Sequence, residues 1–158
     1  SLRVYGCHAD DVREQNATVA DVLLEEASMG LKDLSLYKNF QSRADEIKDS
    51  FLEFLLYQKK VGRKVLAYGA AAKGNTLLNY AGIKPDLLPF VCDASLAKQN
   101  KYLPGSHIPI LEPSAIFEAK PDYVVILPWN IASEVIDQLS PGLPGVNFMT
   151  LVPKLKIL

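Results

Sequence analysis

The sequence has few of the residues that build metal or disulfide sites. Among its 158 residues are two cysteines, Cys7 and Cys92, and two histidines, His8 and His107. The cysteines lie far apart without metal-ligand spacing and the histidines are isolated, which predicts reduced cysteines and no metal site. The sequence also has no G-x-S-x-G and no cysteine–histidine motif. We therefore expect a binding site and predict no catalytic residue in this chain.

A large charge of one sign and a long apolar run are also missing. The net charge is -1, which gives no indication of a nucleic-acid or acidic membrane partner. No run of about 18 apolar residues predicts a membrane span. The apolar content of 49% over this length is typical of one globular domain with a sizeable core. We expect a cytoplasmic protein with no nucleic-acid and no membrane partner.

The first part of the chain predicts a strand and two helices. The apolar run at Leu2–Cys7 predicts a strand, and a strand so early suggests a domain cut from a longer protein, or else the remnant of a removed tag. A short helix is predicted from Thr18 to Gly30. A longer amphipathic helix is predicted from residues 33–35 to residue 61, where Gly62 ends it. We expect this helix to cover the chain's own sheet, the alternative being a brace against another domain.

From residue 63 onward, short apolar strands alternate with short helices. Alternation of this kind predicts a Rossmann-like parallel sheet flanked by helices, with ligands beyond the carboxyl ends of the strands. We predict an N-terminal strand and helical segment at residues 1–62 and a Rossmann-like core at 63–158, within one compact domain. The predicted strands are 64–68, 88–92, 108–111, 122–127 and 147–152, and the predicted helices are 74–81, 113–119 and the segment that Asn130 would cap.

One stretch, KVLAYGAAAKGNT at residues 64–76, reads as a buried strand, a turn of small residues and a helix start. Small residues allow a ligand to approach the main chain, and the unpaired amides of a helix start attract phosphate. Lys73 precedes Gly74, so the stretch is not a nucleoside-triphosphate loop. It is a partial match to the dinucleotide fingerprint, with Ala71 in place of the middle glycine. The alternative is a tight strand–helix turn without a ligand.

Three further groups follow predicted strands and join this turn as candidates. Asp93 lies 24 residues beyond Gly69, near the distance expected of a ribose-binding carboxylate. A long loop follows it, and Trp129, at the end of another strand, can stack on a base or sugar. The candidate substrate-binding residues are Gly69, Ala70, Ala71, Ala72, Lys73, Gly74, Asn75, Thr76, Asp93, Lys101, Tyr102, Pro104, Gly105, Trp129 and Asn130.

Three segments resemble the C-terminal domain of sugar C-methyltransferases, which use S-adenosylmethionine to methylate a ring carbon of nucleotide-linked deoxysugars. They are YGAAAKGNTLLNYAGI at residues 68–83, FVCDASLAKQNKYLPGSHIPIL at 90–111 and DYVVILPWNIASEVI at 122–136. The similarity covers nearly the whole chain. One departure is Pro128, where the family pattern leads us to expect alanine.

The resemblance implies a division of labour. Members of the family bind zinc in an N-terminal part, S-adenosylmethionine in a middle part and the nucleotide sugar with help from a Rossmann-like C-terminal part. The family's bases fall upstream of Ser1, so the resemblance implies a chain that holds no cofactor and is inactive in isolation. Its implied partners are a nucleotide-linked sugar and the missing upstream methyltransferase domain. In the full-length enzyme, a base would form an enolate that attacks the cofactor's methyl group.

Two other functions remain open at this point, namely a stand-alone NAD(P)- or nucleotide-binding regulatory module and a structural or oligomerisation domain. Binding of thymidine diphosphate, of NAD or of neither separates the three. A phosphate contact at the turn also predicts that Gly74→Val abolishes nucleotide binding and leaves the fold intact.

Overall fold

The computed structural model describes residues 3–14 and 16–158. The chain divides into two units at residues 43 and 44, while the predicted division at residue 62 stays a prediction. Residue 2 of the strand predicted at 2–7 lies outside the described residues. Residues 3–7 are exposed and form no strand, so the prediction is wrong there. The physical reason is that an apolar run becomes a strand only where it finds a pairing partner.

Helix α1 lies in the first unit, at Ala17–Ser28. It begins after Asn16, whose side-chain oxygen accepts a hydrogen bond from the Thr18 amide at 3.0 Å. This is an N-cap, because it pairs one of the amides that a helix start leaves without a partner. Gly30 follows the helix with a φ of +74°, a conformation that glycine adopts without strain. The predicted short helix is therefore confirmed.

The long helix, α2, occupies Phe40–Lys60 and starts later than predicted. The residues before it form a separate 3-10 turn at Leu34–Tyr37. Phe51 and Leu55 on α2 are fully buried in the core beneath the sheet. The helix therefore covers the chain's own sheet, as predicted, and Gly62 follows its end with a φ of +75°.

Residues 44–158 form an α/β fold around a seven-stranded sheet in the order β3-β4-β2-β1-β5-β6-β7. The five central strands are parallel, and the edge strands β3 and β7 are antiparallel to their neighbours. The Rossmann-like prediction is confirmed, and the two edge strands, of two residues each, were not predicted. The strands are β1 Val65–Tyr68, β2 Val91–Cys92, β3 Lys101–Tyr102, β4 Pro109–Leu111, β5 Tyr123–Ile126, β6 Asn147–Thr150 and β7 Lys156–Ile157.

Helices cover both faces of this sheet. Side chains of α2 and of α3, Ala72–Tyr80, share one buried cluster with alternate residues of β1 and β5. The opposite face carries a second cluster with α4, Ser114–Ala119, and α5, Ala132–Leu139. The chain runs from β1 to β2 and β4 on one side, then returns to β5 on the other. Ligands of open α/β sheets bind at such a reversal, which here lies between β1 and β5.

The cysteines differ in their surroundings. Cys92 is fully buried at the end of β2, and burial raises the pKa of its thiol to about 12. It therefore stays protonated near neutral pH, whereas Cys7 is exposed. Throughout residues 3–14 and 16–158, no three histidine, cysteine or carboxylate side chains gather as metal ligands. Within the same residues, no helix is long and apolar enough to cross a membrane.

Candidate functional site

The turn after β1 is built by backbone hydrogen bonds. The Gly69 amide donates to the Cys92 carbonyl at 2.7 Å and so extends the pairing of β1 with β2. The Ala71 amide donates to the Gly69 carbonyl at 2.7 Å, which closes a three-residue turn. Helix α3 begins directly after Ala71, two residues before the predicted start.

The start of α3 has no side-chain cap, because Ala71 stands at the capping position. Of the amides from residue 70 to residue 75, those of Ala70, Ala71 and Asn75 have acceptors within the protein. The amides of residues 72–74 have none among the described residues. They lie at the positive end of the helix dipole, where an anion is favoured. The candidate phosphate-binding amides are therefore these three.

Lys73 joins the start of α3 to the end of β5. Its ammonium group lies 4.4 Å from the centre of the Trp129 ring and donates a hydrogen bond to the side-chain oxygen of Asn130. No carboxylate in the described parts of the chain forms an ion pair with it. The structure thus brings three predicted site residues together, and neutral partners hold the positive charge beside the β1–β5 crevice.

Asn130 does not cap α5, so that prediction is wrong. A 3-10 turn at Trp129–Ile131 comes first, and Ile131 occupies the capping position of α5. Pro128, which precedes this turn, lacks an amide hydrogen and lies against Gly69. The 3-10 turn places the Asn130 side chain on Lys73 and not on a helix amide.

Gly74 is needed for packing. It is buried, and a Cβ built there would lie 2.6 Å from Cβ of Leu127. A side chain of any size at residue 74 would therefore push α3 away from the sheet. This contradicts the prediction that Gly74→Val leaves the fold intact. The sequence showed a glycine near a helix start but not the strand residue behind it.

Asp93 is buried directly after β2, and its carboxylate is occupied by the protein itself. Oδ2 accepts the Ala70 amide at 2.6 Å and the Lys98 ammonium at 3.1 Å. Oδ1 accepts the Ser95 amide at 2.8 Å. The predicted contact of Asp93 with a sugar hydroxyl stays a prediction, and the observed hydrogen bonds hold the turn instead.

The loop candidates are divided between two places. Lys101 lies on β3, beside the end of β4, and its ammonium donates to the Ala97 carbonyl at 2.6 Å. Pro104 and Gly105 lie in the turn that leads into the beginning of β4. Their carbonyls accept hydrogen bonds from Asn79 at 2.9 Å and Lys84 at 2.6 Å. These two residues are therefore away from the carboxyl ends of the central strands, and a ligand contact for them stays a prediction.

Three other candidates have the following surroundings. Tyr102 is exposed on the edge strand β3. The Thr76 hydroxyl donates to the Ala72 carbonyl at 3.2 Å, one turn back in α3. The side-chain oxygen of Asn75 accepts from Asn79 at 3.2 Å. The Thr76 and Asn75 groups are used within α3, so the free polar groups of the turn are mainly its amides.

Sequence reasoning missed Lys98, which contacts the Asp93 carboxylate. A lysine five residues beyond a carboxylate in an irregular loop has no local periodicity that would identify it. A partial signal was present, because a carboxylate directly after a strand needs partners when it is buried.

This chain is similar to known proteins in sequence and in structure. A family model described as C-methyltransferase C-terminal domain matches residues 1–153. A curated relative, C-methyltransferase NovU of Streptomyces niveus, is 33% identical over 159 residues, which cover 100% of this chain and 38% of the relative. Among solved structures, UDP-D-quinovosamine 4-dehydrogenase of Vibrio fischeri is 21% identical, with a TM-score of 0.46 over 61% of this chain and 93% of that one.

Proposed function

Because this chain belongs to the family of C-methyltransferase C-terminal domains, we propose that it binds a nucleotide-linked keto-deoxysugar for methylation by the rest of the enzyme. The chain spans 38% of the length of its curated relative, so the catalytic machinery would lie in the part not included here. In this proposal the isolated chain is inactive. The predicted cytoplasmic location stays a prediction.

The contact of Lys73 with Trp129 and Asn130, beside the amides of residues 72–74, carries this proposal. Three amides without acceptors in the described parts of the chain lie with one ammonium group at the strand-order reversal, which suits a diphosphate. Trp129 is half-buried beside the ammonium, so its ring can contact the base or sugar of the same ligand. Binding energy from the nucleotide end would orient a sugar whose reacting carbon lies elsewhere.

S-adenosylmethionine would supply the methyl group from the rest of the enzyme. The residues of this chain assigned to the ligand are amides, a lysine, a tryptophan and an asparagine, which bind and orient. They include no carboxylate, imidazole or phenol side chain, and the lysine is assigned to the phosphates. This composition fits a substrate-binding part and supports assigning the base and the cofactor to the upstream domain.

Lys73→Met tests the proposal with thymidine diphosphate as the probe. We expect the dissociation constant to rise about 10- to 100-fold, because a charge-assisted hydrogen bond contributes about 1.5–3 kcal/mol. Calorimetry and Trp129 fluorescence measure the dissociation constant. Lys84→Met removes the same charge near the other end of α3 and should leave the affinity unchanged.

The same titrations separate the alternatives. Thymidine diphosphate binding without NAD or S-adenosylmethionine binding supports the proposal. NAD binding at equal strength would favour a dinucleotide module, and no binding of any of the three would favour a structural domain. An equal loss of affinity in the Lys73 and Lys84 variants would mean that the diphosphate responds only to overall charge.

We also propose that the first unit is a contact surface for the missing methyltransferase domain. None of its described residues is buried, and α1 has an exposed apolar face. Isolated helices of this length are marginal in water, so a partner is needed to cover it. The exposed large apolar side chains are Val4, Tyr5, Val12, Val19, Leu23, Leu24, Met29, Leu31, Leu34, Tyr37 and Phe40.

Amide hydrogen exchange tests this contact. In the full-length enzyme we expect α1 to exchange about 100-fold more slowly than in this chain alone, since packing adds a few kcal/mol of local stability. Leu23→Glu in the full-length enzyme should abolish the added protection. Ser28→Glu, which adds the same charge on the opposite side of α1, should retain it. Equal exchange of α1 in both forms would contradict the contact.

A further inference from the structure

The Asp93 carboxylate, directly after β2, has fewer free acceptor positions than the ribose of a dinucleotide requires. In dinucleotide-binding sheets, an acidic residue here receives hydrogen bonds from ribose hydroxyls. The two oxygens of Asp93 already receive three donors, from Ala70, Ser95 and Lys98. A carboxylate offers about four acceptor positions, so one is left, and a ribose diol bound through both hydroxyls needs two.

Burial makes the hydrogen bonds of the Asp93 carboxylate energetically costly to break. Asp93 is 7% exposed, and its own carbonyl also accepts a hydrogen bond from Gln99 at 2.9 Å. A ribose that displaced the Ala70 amide would leave a buried N–H without an acceptor, and one that displaced the Ser95 amide would leave a half-buried N–H without one. The protein's hydrogen bonds therefore compete directly with a ribose for the same oxygens.

The same carboxylate also shapes the anion site. It takes the Ala70 amide away from any ligand, so the first available amide is that of residue 72. It places a negative charge behind the turn, on the β2 side, where Lys98 offsets part of it. The positive Lys73 lies on the β5 side of the same turn. The electrostatics thus favour a ligand that extends from α3 towards β5 and away from β2.

We propose that Asp93 is a positioning residue that fixes the phosphate-binding turn and closes the ribose position beyond β2, so that the site selects nucleoside diphosphates over dinucleotides. This rests on the proposed function for its ligand class. The positioning role itself is a property of the free protein and is tested without a ligand.

Asp93→Asn separates the two parts of the proposal. In asparagine one of the two oxygens becomes an NH₂, which donates and cannot accept, so one of the Ala70 and Ser95 amides should lose its partner. We expect exchange of that amide in the free protein to accelerate about tenfold or more, and the dissociation constant of thymidine diphosphate to rise about tenfold. Wild-type protein should bind NAD at least about tenfold more weakly than the diphosphate.

Asp122→Asn is the matched control. Asp122 also accepts a backbone amide, that of Lys64 at 2.7 Å, but it is exposed and lies before β5, at the opposite ends of the parallel strands. A general loss of stability should appear in both variants, whereas only Asp93→Asn should change the diphosphate affinity. NMR of labelled protein reads the individual amides, and calorimetry reads the affinities.

The outcomes distinguish this proposal from the proposed function. Unchanged Ala70 and Ser95 exchange in Asp93→Asn would overturn the positioning role whether or not a nucleotide binds. Wild-type NAD binding as tight as diphosphate binding would overturn the selectivity. Failure of thymidine diphosphate to bind, with accelerated exchange in Asp93→Asn, would overturn the proposed function and the selectivity but support the positioning of the turn.

Discussion

Gly69→Ala is expected to lower the free energy of unfolding by about 3 kcal/mol, combining backbone strain of about 1 kcal/mol with overpacking of about 2 kcal/mol. Gly69 has a φ of +87°, which favours glycine. A Cβ built there would lie 2.7 Å from Cγ of Pro128 and closer still to its Cδ. Urea unfolding followed by circular dichroism measures the change.

Pro128→Ala should rescue most of this loss. The substitution removes Cγ and Cδ and leaves Cβ, which is 3.8 Å from the added atom. We expect a coupling of about 2 kcal/mol between the two substitutions. Gly82→Ala isolates the backbone cost, because Gly82 has a φ of +66° and open space around it, and should lose about 1 kcal/mol. Equal losses at Gly69 and Gly82 would contradict the steric explanation.

Gly74→Val is expected to destabilise the protein by about 3 kcal/mol or more, a fall in melting temperature of about 6–12 °C. The added Cβ would lie 2.6 Å from Cβ of Leu127 and 3.1 Å from its Cγ. The nearest of these atoms is attached to the backbone of a buried residue, so it cannot rotate away. Thermal unfolding by circular dichroism measures the effect.

Thr76→Val is the control for a β-branched residue in α3. Thr76 is exposed, and among residues 3–14 and 16–158 its hydroxyl bonds only to the Ala72 carbonyl, so we expect a change within about 0.5 kcal/mol. If Gly74→Val melted with the wild type, the close approach of α3 to Leu127 would be disproved. If it unfolds as expected, lost nucleotide binding in that variant says nothing about phosphate, and Lys73→Met is the better test.

Local pattern was enough to predict the five parallel strands of the sheet in residues 44–158. Strand β5 is predicted by its β-branched residues, and β1 by its apolar run and the glycine that follows it. Each of these signals lies within the strand itself or next to it. Predictions failed where a signal was short or its partner was distant. Strands β3 and β7 have two residues each, and the run at residues 3–7 has strand-like composition but no pairing neighbour among the described residues.

Local pattern also indicated part of the candidate site. Lys73, Trp129 and Asn130 were predicted separately because each follows a strand or begins a helix, and the fold brings them into contact. Pro104 and Gly105 were predicted as site residues because they belong to a long loop after a strand, yet they lie beside Asn79 and Lys84. The sequence could not show which candidates lie at the carboxyl ends of the strands, because the position of a loop depends on the strand that follows it.

The sequence by itself determined that strands alternate with helices, that a turn of small residues follows β1, and that the resemblance is to a sugar C-methyltransferase domain. The alternation and the turn follow from periodicity and residue type, which act over a few neighbouring positions, whereas the resemblance is carried by the segments at 68–83, 90–111 and 122–136. Only the tertiary structure decided that Gly74 faces Leu127 and that Asp93 is occupied by Ala70, Ser95 and Lys98. Those contacts depend on which strands become neighbours in the sheet. Whether an amide or a carboxylate has a hydrogen-bond partner can be determined only when the positions of all possible partners are known.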